Sequence, residues 1–569
     1  MRWRRVSWAG LICACILLVF LAVSPSAWAY RVVGIEEPGD LASELGWRDV
    51  LAAIQRNLKQ LGYYKGPIDG RYGDATRNAV DSYRRRNGII DNETIWPAVL
   101  IHMQVLGEAI RVQKSLKAAR IRQIDVAKTQ LLKHSAARDL LASVPQKESA
   151  DPTHNPSICF AAPTLRCLLD EALESIRGVT RDRYRNWALQ DMIVVLAEAG
   201  MAEPMKDAIR RLTDARLVLV ALREAVAAMV AAGRIEGAED TLELMPDGAD
   251  RVRALLVVAK GWAGQGDRSK ASEVLARVSI ELDSITDARL ESKLKADIAV
   301  VYAKIGNIDQ ARAILMELAT DNTPKEGKLE ADKISAIVNA YVEFGDLDRA
   351  LAILRKASPD IAPRKGRIAV TSAFAAKGEI KAALDMAKEI VSPRYRVVAL
   401  CNAARKLAER GDIESARTAL TSAETSVPAI EGEFANDFAW SCLAETYDLI
   451  GDKKTAQKSL KHVEGADLKA RSLWRMWAAR RATAQSGDVE GLKSQAIDAT
   501  KAADTFKRAA IWSEASVMAF RVGEKDVSKD YLGNAIAVVS GMQTRWWRAR
   551  ALSRIAKTVI FLESPVGAR

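Results

Sequence analysis

Histidine is scarce in this chain of 569 residues: only His102, His134, His154 and His462 occur, and no two lie close in sequence. A catalytic zinc site needs several His, Asp or Glu ligands around an open coordination position, so the usual zinc-hydrolase motifs are excluded. Cysteine is almost as rare. Six occur, and Cys13 and Cys15 fall in an N-terminal apolar run. The remaining four, Cys159, Cys167, Cys401 and Cys442, have no zinc-ligand spacing and no local His-Gly-Cys context of an activated thiol. No Gly-x4-Gly-Lys phosphate loop is present. The single Ser-x-x-Lys, Ser292 to Lys295, lies in a charged helical stretch, and no Lys-Thr-Gly accompanies it. No metal and no cofactor is expected. Excess charge of one sign is also small. The formal net charge is +12, and the first 29 residues carry three arginines and no acid, which leaves +9 for the rest. That is too mild to imply a nucleic-acid partner.

What is present begins with an export pattern. Arg2, Arg4 and Arg5 precede an apolar run from Trp8 to Val23, and Ala27-Trp28-Ala29 places small residues at the two cleavage-recognition positions. The run is shorter than the ~20 residues of a membrane span and ends at Ser24-Pro25. A secretory signal over residues 1–29, cleaved before Tyr30, is expected, with the mature chain in the periplasm or associated with the cell envelope. Export would put the chain in an oxidising compartment, where Cys159 and Cys167, flanking Pro163 in a loop, are a candidate disulfide. Cys401 and Cys442 sit in apolar helical stretches and read as small buried hydrophobes.

After a linker over residues 30–46, residues 47–103 read as three short helices joined by glycine turns, the last near Thr94 to Leu100. Ile54, Leu58 and Leu61 recur at helical spacing and Gly62 follows as a C-cap. Gly66, Gly70 and Gly73 with Pro67 then force a compact irregular loop, and Asp74 can cap a helix carrying Thr76, Ala79, Val80 and Tyr83. Leu61-Gly62, Tyr63-Tyr64, Gly66, Asp69-Gly70, Tyr72-Gly73, Thr76, Ala79-Val80 and Tyr83 resemble, in order, the pattern of the type-1 peptidoglycan-binding domain. Tyr83-Arg84 and Ile90-Asp91-Asn92-Glu93 depart from it. The resemblance implies a three-helix fold and the wall polymer as ligand, with Tyr64, Asp69, Tyr72 and Arg77 as candidate contacts. Tyrosine offers a sugar ring an aromatic face and a hydroxyl, and Arg77 could pair with a stem-peptide carboxylate. Gly62, Gly66, Gly70 and Gly73 are assigned to the turns, and Asp69-Gly70 and Gly73 read first as turn formers.

Residues 104–144 read as a basic helical spacer. Arg111 to Arg138 holds eight basic residues against Asp125 alone, with Ile110, Leu116, Ile124, Ala127 and Leu131 near one face. A solvated spacer is one reading, and peripheral contact of residues 111–138 with an anionic membrane is the other. Four prolines mark a linker over 145–163.

Residues 164–566 are a repeat array. Gly200, Gly233, Gly266, Gly306, Gly345, Gly378, Gly411, Gly451, Gly487 and Gly523 recur at intervals of 33 to 40 residues. Five residues after the glycine stands alanine in seven repeats (Ala238, Ala271, Ala311, Ala350, Ala383, Ala416, Ala456), and nine after it a leucine in six of those. Asp267, Asn307, Asp346, Asp412 and Asp452 are placed to start the second helix. The alanine lets two helices approach and the leucine fills the seam, so stacked hairpins bury what one cannot. The pattern resembles the tetratricopeptide repeat, including an aromatic four before the glycine (Trp262, Tyr302, Tyr341, Phe374, Tyr447). The resemblance implies an all-α protein: an α-solenoid of about ten hairpins, whose groove would hold an unknown envelope protein or peptide. Trp474, Trp477, Trp546 and Trp547 lie among arginines and are a candidate partner surface, since both residue types concentrate at interface hot spots. The functional expectation is a non-enzymatic, exported scaffold tethered to peptidoglycan. The alternatives are a pure protein scaffold whose small domain docks protein, and a wall glycosidase. The last needs only carboxylates, although the repeats leave no stretch for a catalytic domain.

Overall fold

The computed structural model describes residues 47–87, 96–141, 149–283, 285, 287–320, 327–357, 363–483 and 488–564. The export signal, the linker 30–46, Ile90 to Glu93, the start of the proline-rich linker and Gly487 lie outside them. Every regular element among the described residues is a helix. The chain divides into two compact units, Met1–Gln123 and Ile124–Arg569.

In the first unit, Ile54 and Leu58 of the helix Trp47–Gln60 pack on Ala79, Val80 and Tyr83 of the helix Asp74–Arg86, with Tyr64 and Met103 closing the core. Gly62 has φ 83°, and Tyr63 N–H and Tyr64 N–H both return to the Leu58 carbonyl, so the first helix ends by a left-handed turn. The short third helix and the basic spacer, expected as separate elements, are one helix of 38 residues, Trp96–Lys133. The local reason is visible in the residues. Pro97 falls in the first turn, where its missing N–H is harmless, and Gly107 is the single glycine before the turn at His134.

Among the described residues the second unit contains ten hairpins, from Asp182–Glu198 with Ala202–Arg210 to Thr505–Arg521 with Lys525–Ser540. Gly200, Gly233, Gly266, Gly306, Gly345, Gly378, Gly411, Gly451 and Gly523 all take φ between 74° and 91° at the reversal. The seven alanines are wholly buried, and Leu242, Leu275, Leu315, Leu354, Leu420 and Leu460 are buried behind them. Asp267, Asn307, Asp346, Asp412 and Asp452 each accept the N–H three residues on. Where Ser528 replaces the alanine, it and Ser516 each donate to the other's carbonyl at 2.8 Å. Long intervals are absorbed outside the first helices. The second helix has 15 residues in Arg268–Leu282 and 12 in Ile413–Glu424, against 8 in Ile235–Leu242. The first helices pack on one another in series, whereas second helices pack chiefly on their own partner, so the first helices form the inner layer.

The array also closes on itself. The last helix, Arg545–Glu563, packs on the first helix of the first hairpin, Asp182–Glu198, and on Leu165–Arg177, which stands beside it as its missing second helix. An eleventh hairpin is thus assembled from the two ends of the array. Arg550 Nε donates to Asp191 Oδ2 at 2.6 Å, Lys557 pairs with Glu198, and the Trp546 ring stacks on Tyr184 with centroids 4.7 Å apart. The stretch expected as a linker takes part. From residue 149 it holds a short helix, Ser157–Ala161, with Phe160 under the Arg548 guanidinium.

Candidate binding faces

The irregular loop of the first unit is built around one buried carboxamide. Gln55 Nε2 reaches Asp69 Oδ1 at 2.9 Å, Arg71 O at 3.0 Å and Thr76 Oγ1 at 3.0 Å, and its Oε1 accepts the backbone N–H of Asp69 and Gly70. These bonds replace the ladder that the loop lacks. Donation from Gln55 and from the Arg71 N–H holds the Asp69 carboxyl below its usual range. Asp69 is therefore a turn-holding residue. Tyr64 is buried, and its hydroxyl donates to Pro67 O at 2.8 Å, so its ring has no open face for a sugar. A side chain at Gly66 would strike that Tyr64 ring, and Gly70 has φ 67°. Gly73 is extended (φ −86°) and immediately precedes the second helix. Burial pushes the Tyr83 phenol up to about 12, and its hydroxyl lies against His102 Nδ1.

Tyr72 and Arg77 are different. Tyr72 is 37% exposed, Arg77 is exposed with its guanidinium 5.7 Å from the Tyr72 ring centroid, and Ile68 nearby in the loop is 43% exposed. An aromatic ring, a stacked cation and an apolar side chain thus remain available around a rigid turn. That combination can stack on a sugar and pair with a carboxylate. Two residues escaped the sequence reading: Gln55, an ordinary-looking helical glutamine, and Ile68.

The tryptophans divide in the same way. Trp474 and Trp477 are buried edge to face with centroids 5.5 Å apart, and Trp474 Nε1 donates to Thr500 Oγ1 at 3.0 Å. They fill the interior between hairpins and present no area to a partner, which corrects the expectation for both. Trp546 belongs to the closure, between Tyr184, Trp187 and Trp547. Trp547 alone of the four is exposed. Cys159 and Cys167 are bonded, their Cα atoms 5.7 Å apart, at the start of the closing helix Leu165–Arg177. Cys401 and Cys442 are buried free thiols.

The inner layer carries a groove of about 510 Å³ along four first helices, lined by Arg253, Asp297, Asn339 and Lys365 among others. The buried Asn339 Oδ1 there has no partner. Among the described residues no group of three or more His, Cys, Asp or Glu is placed to hold a metal. No described helix is long and apolar enough to cross a membrane.

Residues 48–92 match the family model described as a putative peptidoglycan binding domain. The first unit therefore carries a peptidoglycan-binding domain, joined to a tetratricopeptide-like helical array. No curated protein matches the chain. Among solved structures, Ton1535 from Thermococcus onnurineus NA1 aligns over 55% of this chain and 98% of its own at 15% identity, TM-score 0.27. The APC/C hetero-tetramer Cut9-Hcn1 aligns over 71% of this chain and 90% of its own at 15% identity, TM-score 0.21.

Proposed function

We propose that this protein is exported to the cell envelope, is tethered to peptidoglycan through the Ile68–Tyr72–Arg77 face, and holds a partner protein on its closed helical array. The observation that carries the reading is the coincidence of that face with the matched segment, residues 48–92, on a loop stiffened by Gln55. Binding then draws on exposed residues whose backbone is already fixed, so little ordering entropy opposes it. The array contributes an inner face whose groove includes an unpartnered Asn339 oxygen, a polar group that a peptide N–H can satisfy. Tethering raises the local concentration of whatever the array holds. The protein acts by binding, as a scaffold. The exposed basic residues from Arg111 to Arg138 supply a secondary contact with anionic lipid.

Co-sedimentation with purified sacculi tests this. The full protein should pellet at low and high salt, and Tyr72→Ala with Arg77→Ala should abolish pelleting. A truncation beginning at Gln104 should stay in solution. Equal pelleting of the truncation, released by salt, would assign the binding to basic charge and remove the tether.

A further inference from the structure

A second groove, of about 440 Å³, opens on the first helices Pro393–Glu409, Glu433–Leu449 and Ala466–Ala482. Its lining is of two kinds. Val398, Phe438, Leu449, Leu468 and Met476 are apolar, and Phe438 and Leu449 are exposed to solvent despite their size. The charged part is a brace. Arg475 Nη1 lies 3.0 Å from Glu445 Oε1, Ser472 Oγ donates to the same oxygen at 2.8 Å, and Arg405 Nη2 stands 3.7 Å from Glu445 Oε2. One carboxylate spreads two guanidiniums and leaves one positive charge in excess.

Ser441 lines the same groove. It is 5% exposed, and its Oγ has no hydrogen-bond partner. Four other helical serines of this array, Ser279, Ser372, Ser513 and Ser553, each donate to the carbonyl four residues back. Thr446, little more than a turn beyond Ser441, does the same toward Cys442. A buried hydroxyl that forgoes this bond beside a cavity is left with a hydrogen bond to make.

We propose that this groove binds a single carboxylate borne on an apolar body. Arg405 and Arg475 take the carboxylate through the donors that Glu445 leaves free, Ser441 contributes a third hydrogen bond, and Phe438, Leu449 and Met476 cover the apolar part. One excess charge suits a monoanion, whereas a dianionic phosphate would meet Glu445 at close range. The volume falls within the range of about 300–1,000 Å³ of small-ligand sites. A medium-chain fatty acid and the apolar C-terminal end of a peptide share this chemistry. The site is independent of peptidoglycan tethering, so either can fail alone.

The test is calorimetric titration of the purified full chain with octanoate and with N-acetyl-Leu-Phe, each beside its primary amide. At least one acid should bind, with its amide about tenfold or more weaker. Arg405→Gln and Arg475→Gln should each weaken the acid by about tenfold. Ser441→Ala should weaken it several-fold without lowering the thermal midpoint, because the hydroxyl supports nothing in the free protein. Binding of octanoate alone assigns a lipid-derived ligand, and binding of the peptide alone assigns a chain terminus. Three results overturn the proposal: no binding of either acid at millimolar concentration, amides that bind as well as acids, or arginine variants that bind unchanged. The acid–amide comparison is made on the unaltered protein, so it stands even if a variant fails to fold.

Discussion

The seams between successive hairpins and the seam that closes the array do the same geometric job, but one joins neighbours in sequence and the other joins residues 359 positions apart. Within the series, alanine and leucine at fixed distances from the turn are buried, and neighbouring first helices meet through apolar side chains. Ion pairs cross these seams too: Arg223–Asp250, Lys260–Asp297, Arg405–Glu445, Arg475–Glu445, Arg471–Glu514 and the buried Arg480–Asp448. At the closure Leu552, Ile555 and Ala556 are wholly buried in the same core as Leu168 and Ala172, and around them stand Arg550–Asp191, Lys557–Glu198, Arg548 near Glu171, and the stacked rings of Trp546, Tyr184 and Trp187. Apolar seams are insensitive to salt and hard to part. Ion pairs on partly exposed side chains, such as Arg550–Asp191 and Lys557–Glu198, are screened and so tunable by salt. Successive hairpins are also held by the chain that links them, whereas no such link crosses the closure, so the closure is the seam at which the array can open.

The most severe break in that comparison is made inside a regular seam. Leu420 is wholly buried nine residues after Gly411. Leu420→Ala should cost about 2–5 kcal/mol in urea unfolding, the transfer loss plus the cavity, and the loss should be the same at low and high salt. A loss that shrinks with salt would show that the regular seams also rely on charge.

The next break concerns the closing helix alone. Cys159 and Cys167 close an eight-residue separation at the start of Leu165–Arg177. A chain-entropy account gives a short cross-link of this kind about 2–3 kcal/mol. Replacing both cysteines by serine, or adding reductant, should raise hydrogen exchange in Leu165–Arg177 while leaving the hairpin Pro393–Glu409 with Ile413–Glu424 unchanged. Uniform loosening of both would mean that closure and series are one cooperative unit.

These two seams were also unequally legible in the sequence. A regular hairpin announces itself locally: Gly411 turns, Asp412 caps, Ala416 and Leu420 pack, all within ten residues. The closure pairs Arg550 with Asp191 across 359 positions, and neither residue differs in type or flanks from dozens of exposed helical charges. Leu165–Arg177 reads as an unremarked amphipathic helix because its partner lies at the other end of the chain. The tryptophan cluster did stand out, but composition does not separate Trp474, buried against Thr500, from Trp547 in solvent. The peptidoglycan-binding segment shows the same division. Its glycines and aromatics were legible as a pattern, while the burial of Tyr64 and the role of Gln55 depend on how the loop folds back over the helix.

The smallest expected effect bears most directly on closure. Asp191→Asn with Glu198→Gln removes both close ion-pair acceptors at the closing seam and leaves the shapes intact. Partly exposed pairs contribute little each, so global stability should fall by only about 1 kcal/mol. The informative quantity is local. In an open solenoid the terminal helices lack a neighbour on one side and exchange their amides first. In a closed array Arg545–Glu563 has neighbours on both sides and should exchange as slowly as an internal first helix such as Pro393–Glu409. The double variant should speed exchange in Arg545–Glu563 and Leu165–Arg177 alone. Raising salt to about 1 M, where the screening length falls to about 3 Å, should move the unaltered protein in the same direction. If Arg545–Glu563 already exchanges like a free end in the unaltered protein at low salt, the array is open in solution, and the charged seam holds nothing together.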